Sequence, residues 1–465
     1  MKSKNKRAKI IVNKFGGGIM VAKFIKSTAQ VIKKQKKANF QPIVVVSALK
    51  GITDELVEIF NLVGNSARKK TRSNRSNQQA IQKKINTAIN KIEEKHQNII
   101  KTLSFQTANL KKLNQNIEQI FNKLKNDLVT INRFGVLEVF YDRILSYGEK
   151  LAALIFVFYL RELGFKAKRY KTDQIPIETD DHHTDANIDY EKSKVNLRKK
   201  LKNKQEIPVL TGFIGQNQQG STTTLGRGGT DTTACFVAAA MNAKKIILWK
   251  DVEGVMSADP RMVKQVKNVP YLSYKEAEES GKVIHDKAIQ YIKKSQIAFE
   301  VRSIVKKQQK TVIAAQTKSQ GAKIISYKQN LTLIIITDEG VSEYGFLYRI
   351  SKLFNDLEVN MVLIRNTRDS LHIVVEKNNG NVEQALKRLK REKYNFQANE
   401  IAMVSVIGTL SWQMASQLNQ ILEQHCQKPI IGAFPYQDAV RLEAVVKDRE
   451  LKKVVRAMHE KFIKV

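Results

Sequence analysis

Along the chain, short apolar runs alternate with longer segments whose apolar positions recur every three to four residues. The runs Ile10–Val12, Pro42–Ser47, Ala167–Tyr170, Ile207–Thr211 and Lys245–Trp249 read as strands, being short and bounded by turn or helical signals. Nearly continuous apolar strands with helical segments between them belong to a parallel sheet covered on both faces. The helical segments run through about Lys34, from Glu55, and from Thr230 to Met241. Residues 64–130 are charged, helical in period and free of glycine after Gly64, so they form a helical excursion at one edge. From Asp142 a further helix passes through Gly148 and Glu149 into the apolar run Leu151–Leu160. That run is about half the length of a membrane span and predicts a buried helix. The first 300 or so residues thus form one α/β unit.

Beyond a basic, polar joint at Lys306–Lys310 the pattern changes. From Leu331 it reads strand, helix (Tyr344–Asn355), strand (Val359–Ile364), strand (Ser370–Val375), helix (Val382–Arg391). From Ile401 it recurs as strand, helix (Gln413–His425), strand (Pro429–Ala433), strand (Val440–Val446), helix (Arg449–Phe462). This repeat of about 70 residues is a βαββαβ ferredoxin-like module used twice. The second copy has almost no room for a closing strand, and the β-like segment Ala322–Tyr327 is the candidate to supply it.

Composition narrows the function classes. The 465 residues, 42% of them hydrophobic, allow two or three domains. No apolar stretch resembles a signal peptide, since Lys14 and a glycine loop interrupt the first one, and a cytoplasmic location without membrane association follows. A net charge of +36 raises the possibility of nucleic-acid binding, but the charge is spread along the chain, which disfavours it. The local basic run at residues 68–84 reads as a solvated surface segment. Cys235 and Cys426 have no metal-ligand spacing and read as buried bystanders, and the pair His182–His183 as part of a solvated polar loop.

The candidate chemistry lies in glycine-rich turns that carry charge. Residues 210–231, LTGFIGQNQQGSTTTLGRGGTD, leave a strand and enter a helix. Gly226, Gly228 and Gly229 permit close backbone approach to a ligand, Arg227 offers a planar fork for a carboxylate or phosphate, and Asp231 falls at the helix opening. The loop Lys14-Phe15-Gly16-Gly17-Gly18 follows the first strand, as Ser47 and the Gly51-Ile52-Thr53-Asp54 turn follow the second. Thr53 or Asp54 is placed to cap the helix there. Glu149 sits in a Gly-Glu pair that starts an otherwise apolar helix segment, where an acid also complements the helix dipole.

These motifs, in this order, resemble those of the aspartate kinases of the amino acid kinase superfamily. Lys14 with Gly16 and Gly17 is similar to the K-F-G-G motif, VVVSALKGITDEL to the second strand and loop, Gly148-Glu149 to the G-E motif, and 210–231 to the signature loop. LWKDVEGVMSADPR at 248–261 is similar to the nucleotide-binding segment, and Gly281–His285 to the G-A-K-V-L-H motif. The twin modules resemble paired effector-binding ACT domains.

The resemblance implies an amino-acid-kinase-type mostly parallel sheet sandwiched by helices, followed by two ACT-like modules. It places the catalytic domain at 1–305, one module at 328–398 and a discontinuous one at 311–327 plus 399–465. It implies transfer of the ATP γ-phosphoryl group to the β-carboxylate of L-aspartate with Mg²⁺, in a monofunctional chain on the way to lysine, threonine and methionine. Lys14 and Asp231 are then catalytic, and Ser47, Thr53, Glu149 and Arg227 bind the amino acid. Lys14, Phe15, Gly16, Gly17, Lys250, Asp251, Met256, Arg261, Lys282 and Val283 face the nucleotide.

An amino-acid effector at the ACT-like modules and a homodimer or higher homo-oligomer are further implications. Gly18, Ala152 and Lys250 depart from the family's pattern, Gly18 removing a hydroxyl near the phosphates. They leave open a catalytically weakened, amino-acid-sensing paralogue; another small-acid kinase of the same fold is a separate alternative, against which the twin modules and Glu149 speak.

Overall fold

A computed structural model describes residues 9–69, 75–134, 138–174, 177–201, 205–281, 284–306, 309–316, 320–377, 380–426 and 440–463. The chain divides into two compact units: Met1–Val255 with Pro270–Thr317, and Met256–Val269 with Lys318–Val465.

The first unit opens with β1 (Lys9–Phe15), α1 (Ala22–Lys37), β2 (Phe40–Val46) and α2 (Ile52–Lys69). Two long helices, α3 (Arg75–Leu103) and α4 (Thr107–Phe134), lead to α5 (Glu138–Glu162). There follow β3 (Ala167–Tyr170), α6 (Tyr190–Leu201), β4 (Ile207–Thr211), the hairpin β5 (Ile214–Gln216) and β6 (Thr222–Thr224), α7 (Gly229–Ala240) and β7 (Lys245–Lys250). The unit closes with β8 (Tyr271–Ser273), α8 (Tyr274–Glu279), α9 (Asp286–Ser295), β9 (Ala298–Ser303) and β10 (Lys310–Ala314).

Its sheet has eight strands in the order β3-β4-β2-β1-β7-β9-β10-β8. Every neighbouring pair runs parallel except β9 with β10. The five strands read from the sequence are all present. Residues 311–314, expected in the second module, instead lie in the large sheet as part of β10 (Lys310–Ala314), where Thr311 and Ile313 are buried.

The helical excursion is the two long helices α3 and α4, whose apolar positions, among them Ile92, Leu113, Phe121 and Leu124, join one core with α2 and α5. The run Leu151–Leu160 is wholly buried in α5, and no helix among the described residues is long and apolar enough to cross a membrane.

The second unit contains β11 (Gly321–Ile336), α10 (Phe346–Asp356), β12 (Met361–Asn366), β13 (Leu371–Glu376), α11 (Asn381–Arg391), β14 (Phe396–Thr409), α12 (Trp412–His425), β15 (Arg441–Lys447) and α13 (Leu451–Phe462). Among the described residues its five strands form one antiparallel sheet, β12-β13-β11-β14-β15. The two long central strands serve both repeats. Leu331–Ile336 pairs with β13 and with Phe396–Ile401, whereas Ala322–Tyr327 pairs with Val404–Gly408 across a register shift. The expected strand at Pro429–Ala433 lies outside the described residues.

Residues 256–269 belong to this unit through specific bonds. Ser257 Oγ lies 2.9 Å from the buried His459 ring, the Ile325 N–H donates to the Ser257 carbonyl at 2.7 Å, and the Tyr327 hydroxyl donates to Asp259 at 2.8 Å.

Candidate active site

In the first unit the polar groups gather where β1, β2 and β7 end and α7 begins. Lys14 is the sixth residue of β1, and its Nζ lies 2.6 Å from Asp231 Oδ1 in the first turn of α7. Both side chains are mostly buried, which shields the attraction from solvent. A Cβ on residue 16 would stand 2.9 Å from the Lys14 ammonium, so the glycine leaves that group its space. Lys250, at the end of β7, is held below the usual lysine range by burial. The charge of Asp231 opposes that shift, and that of Lys14 adds to it. Lys14 and Lys250 thus share the field of Asp231, and Asp251 adds to it at Lys250. Asp251 follows, and its carboxylate oxygens lie 3.5 Å from where a Cβ of Gly18 would be.

Beside this cluster stands Glu149, 2% exposed, in the middle of α5. One carboxylate oxygen accepts the Ala48 N–H at 3.0 Å and, weakly, the Ser47 hydroxyl at 3.5 Å. The other, Oε2, is buried with no hydrogen-bond partner. Burial pushes its pKa up to about 7, against the pull of the Ala48 N–H. Gly148 makes the approach possible, since a Cβ there would come within 2.8 Å of Ala48 Cβ. Thr230 then donates its hydroxyl to Ser47 at 3.3 Å, one residue before Asp231. This link was not read from the sequence; its only signal is a hydroxyl residue next to a helix-opening acid.

Arg227 lies between Gly226 and Gly228, whose φ values of 71° and 74° are left-handed, and its side chain is exposed. Neighbours fix this turn. A Cβ on Gly228 would stand 2.6 Å from His285 Cβ, and one on Gly226 would stand 2.0 Å from Asp185 Oδ1. Asp185 in turn pairs with Lys287 at 2.6 Å. The loop supporting it is less solvated than the sequence implies. His183 Nδ1 lies 2.7 Å from the fully buried Asp142 Oδ2, and the same carboxylate accepts the Thr184 N–H and the Thr224 hydroxyl.

Other expected site residues are placed differently. The Phe15 ring is fully buried against Phe156, with ring centroids 5.6 Å apart, so Phe15 has only its backbone to offer a ligand. Thr53 is the second residue of α2, inside the first turn, and does not cap it; the Glu55 N–H bonds to the Gly51 carbonyl instead. Met256 and Arg261 belong to the second unit. There Met256 bridges to Asn268, and Arg261 grips Asp259 with contacts down to 2.7 Å, which holds that carboxyl well below its usual range. Lys282 and Val283 lie outside the described residues. Both cysteines are buried and free, and no cluster of three or more metal-ligating side chains occurs among the described residues.

Comparison with known proteins agrees with this architecture. The model of the amino acid kinase family matches residues 9–303. An aspartokinase of Rickettsia felis is 28% identical over 97% of this chain and 99% of its own length. Aspartokinase 1 of Arabidopsis thaliana, a chloroplastic protein, is 25% identical over 97% of this chain and 80% of its own. Among solved structures, E. coli aspartokinase III in complex with aspartate and ADP superposes with a TM-score of 0.79 at 22% identity. That superposition covers 98% of this chain and all of the other, and shows a shared fold.

Proposed function

The chain belongs to the amino acid kinase family, and we propose that it is an aspartate kinase, transferring the γ-phosphoryl group of ATP to the β-carboxylate of L-aspartate. The observation that carries this reading is the joining of the Lys14–Asp231 pair to the buried Glu149 through Thr230 and Ser47.

A carboxylate oxygen attacks the γ-phosphorus, the bond to the bridging oxygen breaks, and ADP leaves with that electron pair. Both reactants are anions, so the site must supply positive charge and alignment. Lys14 and Lys250 supply the charge on the phosphate side; Asp231 holds the Lys14 ammonium in place and its charge favours the charged form of Lys250. The Gly16–Gly17 turn gives the phosphates close approach to the backbone. Asp251, beside Gly18, is the nucleotide-facing acid.

On the other side, the partnerless Oε2 of Glu149 receives the α-ammonium of aspartate, whose positive charge offsets the cost of ionising a buried acid. Arg227, exposed on its glycine turn, takes a carboxylate of the amino acid, and Ser47 and Thr53 line its path. Magnesium fits as an ion carried on the nucleotide phosphates, with Asp231 and Asp251 as the nearby carboxylates; when bound it neutralises phosphate charge.

The second unit is assigned to regulation by an amino acid, in a homodimer. The supporting features are its duplicated βαββαβ pattern, the outermost strand β12, and the exposed apolar side chains Tyr344, Leu347, Tyr348 and Ile364. An E. coli relative of the same fold has been solved with lysine and aspartate. Steady-state ADP release with aspartate and with glutamate tests the function. The proposal requires turnover that saturates with aspartate and at least tenfold lower efficiency with glutamate, and equal rates with the two acids contradict it.

A further inference from the structure

Side chains alternate across a strand, so residues next to the catalytic ones face the other side of the same sheet. On β1 and β7 the paired positions Ile11 with Lys245, Asn13 with Ile247, and Phe15 with Trp249 share the face opposite Lys14 and Lys250. There a cavity of about 340 Å³ lies between α1 and the sheet. Its volume is at the lower end of the range for small-molecule sites.

Apolar atoms dominate its wall: Ile11, Val31, Phe40, Ile247 and Trp249. The aromatic wall is held in place, because Trp249 Nε1 donates to Asn13 Oδ1 at 3.0 Å and the Asn13 amide exchanges two 2.8 Å bonds with Gln35. Lys34, Lys245 and Arg302 also line the cavity. One acid, Glu300, is shared among Arg302 at 2.5 Å, Lys245 at 3.3 Å and Lys310 at 4.0 Å, which leaves an excess of positive charge. Lys34 makes no ion pair among the described residues.

We propose that this cavity is a second small-molecule site, separate from the phosphoryl-transfer site, which takes a monocarboxylate with a flat aromatic body. The ring lies against Trp249 and Phe40, and the carboxylate meets the Lys34 and Arg302 cations. A charge-assisted contact of this kind favours the acid over its neutral amide.

Trp249 and Trp412 are the only two tryptophans, so in a Trp412→Phe protein all tryptophan emission comes from the cavity wall. With saturating aspartate and Mg-ADP filling the catalytic site, that protein is titrated with phenylacetate and with phenylacetamide. Isothermal titration calorimetry follows the same additions. The proposal requires a saturable response to phenylacetate and at least fivefold weaker binding of the amide. It also requires several-fold weakening by Lys34→Gln and loss of binding with Ala38→Phe, which plugs the rim. The site is refuted if a Trp412→Phe protein with unimpaired kinase turnover shows neither emission change nor heat with phenylacetate. It is refuted equally if acid and amide bind alike, or if binding survives Ala38→Phe.

Discussion

The Thr230 hydroxyl donates to Ser47 Oγ at 3.3 Å, and this bond joins the two halves of the site. On one side Ser47 adjoins the buried Glu149, and on the other Thr230 precedes Asp231, the partner of Lys14. The strand end that carries Ser47 and the helix that carries Asp231 are thereby held in one register.

Removing either charge of the central pair disables transfer while leaving the fold intact. Lys14→Met and Asp231→Asn are each expected to lower kcat by roughly 10²–10³, the usual cost of losing one preorganised electrostatic group. Circular dichroism should match the parent protein, the melting temperature should fall because the remaining charge is left mostly buried without its partner, and KM for aspartate should move far less than kcat.

Glu149 makes two pH-dependent predictions. Its folded pKa is raised from 4.5 to about 7, so its contribution favours folding fully below pH 4.5 and is lost as pH rises through 7. The loss amounts to roughly 3 kcal/mol, and urea unfolding of the ligand-free protein should show a decline between pH 5 and 7.5 that Glu149→Gln lacks. Activity runs the other way. If the carboxylate receives the aspartate ammonium, kcat/KM for aspartate falls about tenfold per pH unit below 7. Glu149→Gln flattens that limb and costs at least about thirtyfold.

At Gly18 a side chain has room, since its Cβ would meet the Asp251 carboxylate at 3.5 Å, an ordinary contact. Gly18→Ser restores a hydroxyl on the phosphate side and is expected to raise kcat/KM for ATP several-fold, in line with about 1 kcal/mol for one hydrogen bond. An unchanged value would remove the hydroxyl from the account.

The turn that carries Arg227 is sensitive at Gly228, with φ of 74° and His285 Cβ at 2.6 Å from a would-be Cβ. Gly228→Ala should destabilise the protein by at least about 1 kcal/mol and raise KM for aspartate. Gly164→Ala is the control: its φ is also positive, at 82°, but nothing lies within 4 Å, so stability falls and KM does not move.

The parallel strands were legible because their buried apolar runs are local, and the site because its glycines and charges stand in motif order. The hairpin β5–β6 escaped notice because its second strand is three threonines, which carry no apolar alternation. β9 escaped because Glu300 and Arg302 sit inside it, where their mutual ion pair makes burial tolerable, and β10 because its five residues begin in the polar joint. The placement of Met256 and Arg261 in the second unit depends on Ser257 meeting His459, a contact between residues distant in the chain that no local pattern records. A cap at Thr53 or Asp54 is what their side chains favour, whereas Gly51, with φ of 79°, makes the turn and the helix starts one residue before Thr53.

Trapping of the acyl phosphate with hydroxylamine tests the central claim most directly. With ATP, Mg²⁺ and purified protein, aspartate should give the β-hydroxamate at a rate matching ADP release, and Lys14→Met should lower both by roughly 10²–10³. ADP release without hydroxamate, or hydroxamate formed equally from glutamate, would contradict the account.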